Sequence, residues 1–88
     1  MIENRDVISV TQIEDGLSDL ENKLRMRLEE KGYHSWNSRH EILGLVTEEV
    51  MELTLAIKLN VGIEDELLDV AVAAIYGYIN VKNGKLDW

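Results

Sequence analysis

The stretch that decides the fold is LVTEEVMELTLAI, residues 45–57. Its apolar residues recur at helical spacing, yet three glutamates stand among them. In an α-helix each residue advances about 100° round the axis. With Glu49 set at zero, Ile42 lies at about +20°, Leu45 at about −40°, Val46 at about +60°, Leu53 at about +40° and Ala56 at about −20°. Glu49 therefore falls in the middle of the oily stripe. Glu52, at about −60°, sits at the edge of the stripe, and Glu48, at about −100°, lies beyond it. Residues three apart share a helix face, so Glu49 and Glu52 point inward together. Burying this stripe buries a carboxylate, and some other element must answer the charge.

The segment that follows shows the same anomaly. Asn60 and Gly62 punctuate the chain, and a helix is predicted from about 63 to 82. Glu64, Asp65 and Glu66 in its first turn suit the positive end of the helix dipole. Beyond them Leu67, Leu68, Val70, Ala71, Val72, Ala73, Ala74 and Ile75 make it apolar on nearly every side, as expected of a central helix. Asp69 interrupts that run, with Glu66 about 60° away and one turn earlier, and Tyr76 falls about 20° from Asp69. A connection of about four residues makes the two helices antiparallel neighbours. Glu52 stands about 10 Å from the end of its helix and Asp69 about 8 Å into the next. Glu49, Glu52, Glu66 and Asp69 are therefore expected to converge between the helices.

A first helix is predicted from about 11 to 31, with Val10, Ile13, Leu17, Leu20, Leu24 and Leu28 forming one stripe. TQIE at 11–14 has the capping-box form, with Thr11 as N-cap and Glu14 reaching back, and Gly32 suits the far end. SRHE at 38–41 repeats the box and opens the middle helix, which runs to about 59. No strand pattern, repeat or low-complexity linker remains. The expectation is a single all-α domain over 1–88, a three-helix subunit. Three helices cannot cover an all-round apolar third helix, so a homodimer with a bundle-like interface, an oligomeric helical bundle, is expected.

Composition narrows the function. The chain carries 17 acidic against 9 basic residues, a formal net charge of −8, and no cysteine or proline. Disulfides, thiolate metal sites and cysteine nucleophiles are excluded. A reducing, cytoplasmic setting fits. With no basic stripe to neutralise phosphates, nucleic acid is not an expected partner. The longest oily run, LLDVAVAAIYGYI, is about 13 residues with an Asp inside, short of the roughly 20 a membrane span needs. MIENRDVISV at the start lacks the basic and apolar blocks of a signal peptide.

Inward carboxylates need relief, because burying an ionised carboxylate costs several kcal/mol and like charges add to that. Protonation, a basic partner on the first helix such as Arg25 or Lys23, or a metal ion would supply it. All-oxygen ligation suits Mg²⁺ or Mn²⁺ rather than zinc. A di-iron bundle would want Glu-x-x-His, and neither His34 nor His40 follows a glutamate by three.

EEVME at 48–52 followed by ELLD at 66–69 resembles the paired EExxE and ExxD motifs of the MazG-type all-α nucleoside triphosphate pyrophosphohydrolases. The aromatic connector YHSW at 33–36, before the capped motif helix, resembles the same family, and the likeness spans about 31–80. The resemblance implies Mg²⁺ held by Glu49, Glu52, Glu66 and Asp69. It implies hydrolysis of a nucleoside triphosphate to the monophosphate and pyrophosphate, in a dimer or tetramer. Glu49 or Glu48 is then the candidate to orient or deprotonate water. Tyr33, Trp36 and Tyr76 are candidates to stack on the base. Family members usually continue into a further helix whose Lys, Arg or Asn touch phosphates. Here Lys82 and Asn83 are the candidates, or Arg25, Arg27 or Lys31 lent by a second subunit. The competing expectation is a non-catalytic helical oligomer, a regulatory or antitoxin-like interaction protein that keeps the fold without turnover.

Overall fold

The computed structural model describes residues 6–32 and 34–86. They form three helices, α1 (Val10–Lys31), α2 (Arg39–Leu59) and α3 (Ile63–Lys82), with no strand among the described residues. The all-α expectation is met, and the helix bounds differ from those expected by a single residue at the first two starts. No helix among the described residues is long and apolar enough to cross a membrane.

The start of α1 corrects one expectation. Its N-cap is Ser9, not Thr11. The Ser9 hydroxyl accepts from the Gln12 N–H at 3.1 Å, and the Gln12 side chain accepts from the Ser9 N–H at 2.8 Å. Both SVTQ and TQIE fit a capping box, and the earlier frame closes reciprocally while leaving Thr11 and Glu14 inside the helix. Ser38 caps α2 as expected, accepting from the Glu41 N–H at 3.3 Å. The Glu41 carboxylate reaches one residue further out, to the Asn37 N–H at 2.8 Å, so that box closes outside its cap. The turn into α3 needs two left-handed residues, Asn60 at φ 55° and Gly62 at φ 67°. Asparagine tolerates that region and glycine occupies it without strain.

α2 and α3 pack along their lengths as an antiparallel hairpin. Ile42, early in α2, meets Gly77, late in α3, while Glu49 and Glu52 meet Glu66 nearer the turn. The packing is close at Gly77. A Cβ built there would lie 3.2 Å from Ile42 Cγ2 and 3.3 Å from Trp36 Cζ3. One turn on, Asn80 is 1% exposed. Its Oδ1 accepts from the Trp36 N–H at 3.0 Å and its Nδ2 donates to the Tyr76 carbonyl at 2.8 Å. This buried amide ties the aromatic connector to α3 and fixes where Trp36 sits.

α1 packs on α3 and not on α2, and none of its residues is buried. Leu20, Leu24 and Leu28 are half-buried, but Val10, Ile13 and Leu17 are exposed. The single stripe expected along α1 is therefore covered only over its C-terminal half. The remainder projects, and the molecule measures 48 × 29 × 25 Å. Its radius of gyration is 15.3 Å, against about 12 Å for a compact chain of this length. The buried apolar core is small, Ala56, Val72 and Ala73.

Candidate metal centre and adjoining cleft

Glu49 projects from α2 and Glu66 from α3, both half-buried, and Glu52 joins them from the exposed side of α2. One carboxylate oxygen from each lies within 4.8 Å of the others. The angular position of Glu49 in the oily stripe places it inward, and the short turn brings Glu66 level with it. Glu49 Oε2 and Glu66 Oε2 are enclosed and have no hydrogen-bond partner among the described residues. Burial, followed by the charges of Glu52 and Asp69, raises the pKa of Glu49 above 4.5, and Arg27 opposes the rise. Burial first, then Glu52 and Asp69, raises that of Glu66 as well. Unpartnered, enclosed acceptors crowded by like charges are what a hard divalent cation would satisfy. The donor set, all carboxylate oxygen, fits Mg²⁺ or Mn²⁺.

Asp69 stands apart from the three glutamates. It is close enough to raise the pKa of two of them, but its Oδ1 is already engaged. That oxygen accepts from Arg27 Nη2 at 3.0 Å and pairs with Lys23 Nζ at 2.7 Å, with the Asp69 side chain 15% exposed. Basic residues of the first helix thus do reach the acidic cluster, in the same chain, and they meet Asp69 rather than Glu49 or Glu52. Arg25 turns away and pairs with Glu21 at 2.8 Å on the exposed face of α1. The signal for this was present in the sequence. Lys23, Arg27 and Lys31 recur every four residues along one flank of the Leu20–Leu24–Leu28 stripe. Periodicity alone does not say which carboxylate that flank faces.

A cleft of about 460 Å³ opens beside the cluster, within the range of small-molecule sites. α1 contributes the cationic side chains of Arg27 and Lys31 to its lining, and the connector adds His34. Glu41, Glu48, Glu49 and Asp69 supply its carboxylates, Glu49 being shared with the three-glutamate cluster. Trp36, Leu45, Val72, Ala73 and Tyr76 supply apolar and aromatic surface. Trp36 and Tyr76 meet edge to face with ring centroids 4.7 Å apart. The Tyr76 hydroxyl is enclosed without a partner, and burial raises its pKa above 10.

Of the expected substrate-contacting residues, Trp36 and Tyr76 line this cleft. Lys82 and Asn83 do not. Lys82 Nζ lies 5.9 Å from the centre of the Tyr78 ring, and the Asn83 amide donates to its own helix at the Ile79 carbonyl. Tyr33 lies outside the described residues. Glu48 is exposed but reaches the cleft. Asn80, which positions Trp36, was not singled out in the sequence. A lone asparagine late in an apolar helix is its only mark there.

No protein-family model matches this chain, and neither a curated protein nor a solved structure does.

Proposed function

We propose that the chain is a Mg²⁺-dependent nucleoside triphosphate pyrophosphohydrolase, with Mn²⁺ able to serve, of the MazG-like kind that its motifs resemble. One observation carries this reading. Three glutamates from two helices are gathered within 4.8 Å, two of their oxygens are enclosed and unpartnered among the described residues, and they adjoin a cleft that carries cationic and aromatic side chains. A triphosphate and a base require those two kinds of side chain.

Glu49, Glu52 and Glu66 hold the ion, with Asp69 beside them as the fourth carboxylate of the motif pair. When bound, the ion offsets phosphate charge and lowers the pKa of a water molecule. Arg27 and Lys31 meet phosphate oxygens. Trp36 and Tyr76 offer ring surface to the base. Glu48, exposed on the cleft and adjacent to the cluster, or Glu49, takes the proton from water. Water is split across the anhydride between the α and β phosphates. Its oxygen joins one phosphorus while the bridging oxygen departs with the other, leaving a monophosphate and pyrophosphate.

The working unit in this proposal is a homodimer or homotetramer in the cytoplasm. The chain exposes 7058 Å², about a third more than a compact monomer of its mass. Both hairpin helices leave large apolar side chains in water, Leu43, Val50 and Ile57 on α2 and Leu67, Tyr78 and Val81 on α3. That exposed surface also favours a second reading, a helical interaction protein without turnover. A panel of nucleoside triphosphates with Mg²⁺ and pyrophosphate detection separates the two. Release from one of them, abolished by Glu49→Gln with the helices intact, supports the enzyme. No release from any, with no melting shift on adding Mg²⁺, supports the interaction protein.

A further inference from the structure

Two side chains converge on one oxygen of this site. Lys23 Nζ and Arg27 Nη2 lie 2.7 and 3.0 Å from Asp69 Oδ1, while among the described residues no cation pairs with the enclosed oxygens of Glu49 and Glu66. Both come from α1, a helix with no buried residue, which rests on α3 through a few half-buried leucines. A carboxylate oxygen has about two lone-pair directions, so Lys23 and Arg27 occupy Oδ1 and leave a further cation only the other oxygen of Asp69. Arg27 also lines the adjoining cleft, a short reach from where phosphates would lie.

We infer that Lys23 and Arg27 are placeholders at Asp69. They hold it while no divalent cation is present and give it up when one binds, which loosens α1 from α3 and turns Arg27 toward the cleft. The inference rests on the metal reading above and concerns its regulation. The arm competes with the ion for Asp69, so each weakens the other's hold, as linkage between two binding events requires. The ion brings two positive charges to the cluster, equal in number to the two that Lys23 and Arg27 withdraw from Asp69.

The test is Mn²⁺ titration of the full chain at physiological ionic strength, followed by calorimetry, with no substrate and no turnover. Lys23→Met and Arg27→Met keep the apolar stem and remove the charge. Each is expected to tighten Mn²⁺ binding by about threefold, from the typical strength of such a pair. Arg25→Met changes net charge equally but its partner is Glu21, so its affinity stays that of the parent. A second measurement needs no variant. Saturating Mg²⁺ is expected to speed amide exchange over 20–31 relative to 66–80, and this decides the matter if a variant loses α1. A parent chain that binds Mn²⁺, with both variants unchanged or weaker and α1 exchange unaffected by Mg²⁺, overturns the placeholder role alone. Equal tightening by Arg25→Met overturns it too, by reducing the effect to net charge. A folded parent that binds no Mn²⁺ at millimolar concentration removes the metal reading and this inference together.

Discussion

α1 and the α2–α3 hairpin are built from helices of nearly equal length, 22, 21 and 20 residues, yet they are held by different forces. Every buried helical residue belongs to the hairpin: Ala56, Val72, Ala73, Gly77 and Asn80. α1 has none. The hairpin packs closely at Gly77 and through Asn80, and it does so although its own glutamates repel one another. α1 has a clean apolar stripe but a partner for only half of it, and Lys23 and Arg27 add ion pairs to Asp69. A carboxylate that burdens the hairpin thus also helps to hold the arm. Good patterning did not make α1 the better-packed helix. α3 has neighbours on two sides, whereas α1 has one neighbour at one end.

The largest way to break this contrast is at Glu49. A divalent cation at a hundred times its dissociation constant stabilises the folded chain by about 2.7 kcal/mol. For a domain of this size that raises the melting temperature by roughly ten degrees or more. Glu49→Gln is expected to remove that shift, read by calorimetry with and without Mg²⁺, and to cut pyrophosphate release by at least about a hundredfold, since even outer-sphere changes cost up to that.

The next effect probes the hairpin's packing. Asn80→Ala leaves the Trp36 N–H without its acceptor and is expected to cost about 1–3 kcal/mol. Gly77→Ala sets a methyl against Ile42 and Trp36, and the crowding, about 1–3 kcal/mol, is offset by the roughly 1 kcal/mol that alanine gains over glycine inside a helix, so its net cost is expected to be smaller. Urea unfolding measures both. In Asn80→Ala the Trp36 fluorescence should also shift as the connector loosens. If Asn80→Ala matches the parent, the hairpin is not held where the close contacts say it is.

A smaller effect sharpens the electrostatic side. Burial and neighbouring carboxylates raise the pKa values of Glu49 and Glu66 in the folded chain above the ordinary 4.5. The folded chain therefore binds protons more readily than the unfolded one between 4.5 and the raised values. Stability without metal falls as pH rises through that window. Glu49→Gln should accordingly stabilise the metal-free chain at neutral pH, and that gain should vanish below about pH 4.5, where the glutamate is protonated in both states. Urea midpoints in chelator across this range check the sign. A gain that persists at low pH would mean that packing, not charge, sets the effect.

The smallest effect lies on the arm. Arg25 and Glu21 form an exposed pair four residues apart, and Arg25→Ala is expected to cost no more than about 0.5 kcal/mol. Thermal melts of the two proteins should nearly superimpose. A cost comparable with that of Asn80→Ala would show that α1 contributes to the fold as the hairpin does.

Much of this was legible in the residues. Hydrophobic spacing, Gly32, Asn60 and Gly62 mark the helices and their ends, because helix formation and termination are local. The inward angle of Glu49 follows from counting along the chain, and the short turn brings Glu66 opposite it. The cap of α1 was ambiguous because two overlapping tetrads fit the same hydrogen-bonding pattern, and only the reciprocal pair at Ser9 and Gln12 separates them.

What the sequence by itself determined is the number and extent of the helices, the antiparallel order of the last two, and the placing of acid on their facing sides. Only the tertiary structure decided that Asp69 is met by Lys23 and Arg27, that Glu52 stays exposed, that Trp36 and Tyr76 share a cleft, and that half of α1 goes uncovered. The reason is the range of the interactions. Periodicity fixes which side of a helix a residue occupies, but the line along which α1 crosses α3 is set by side chains some forty residues apart, and that line selects the carboxylate its cations reach.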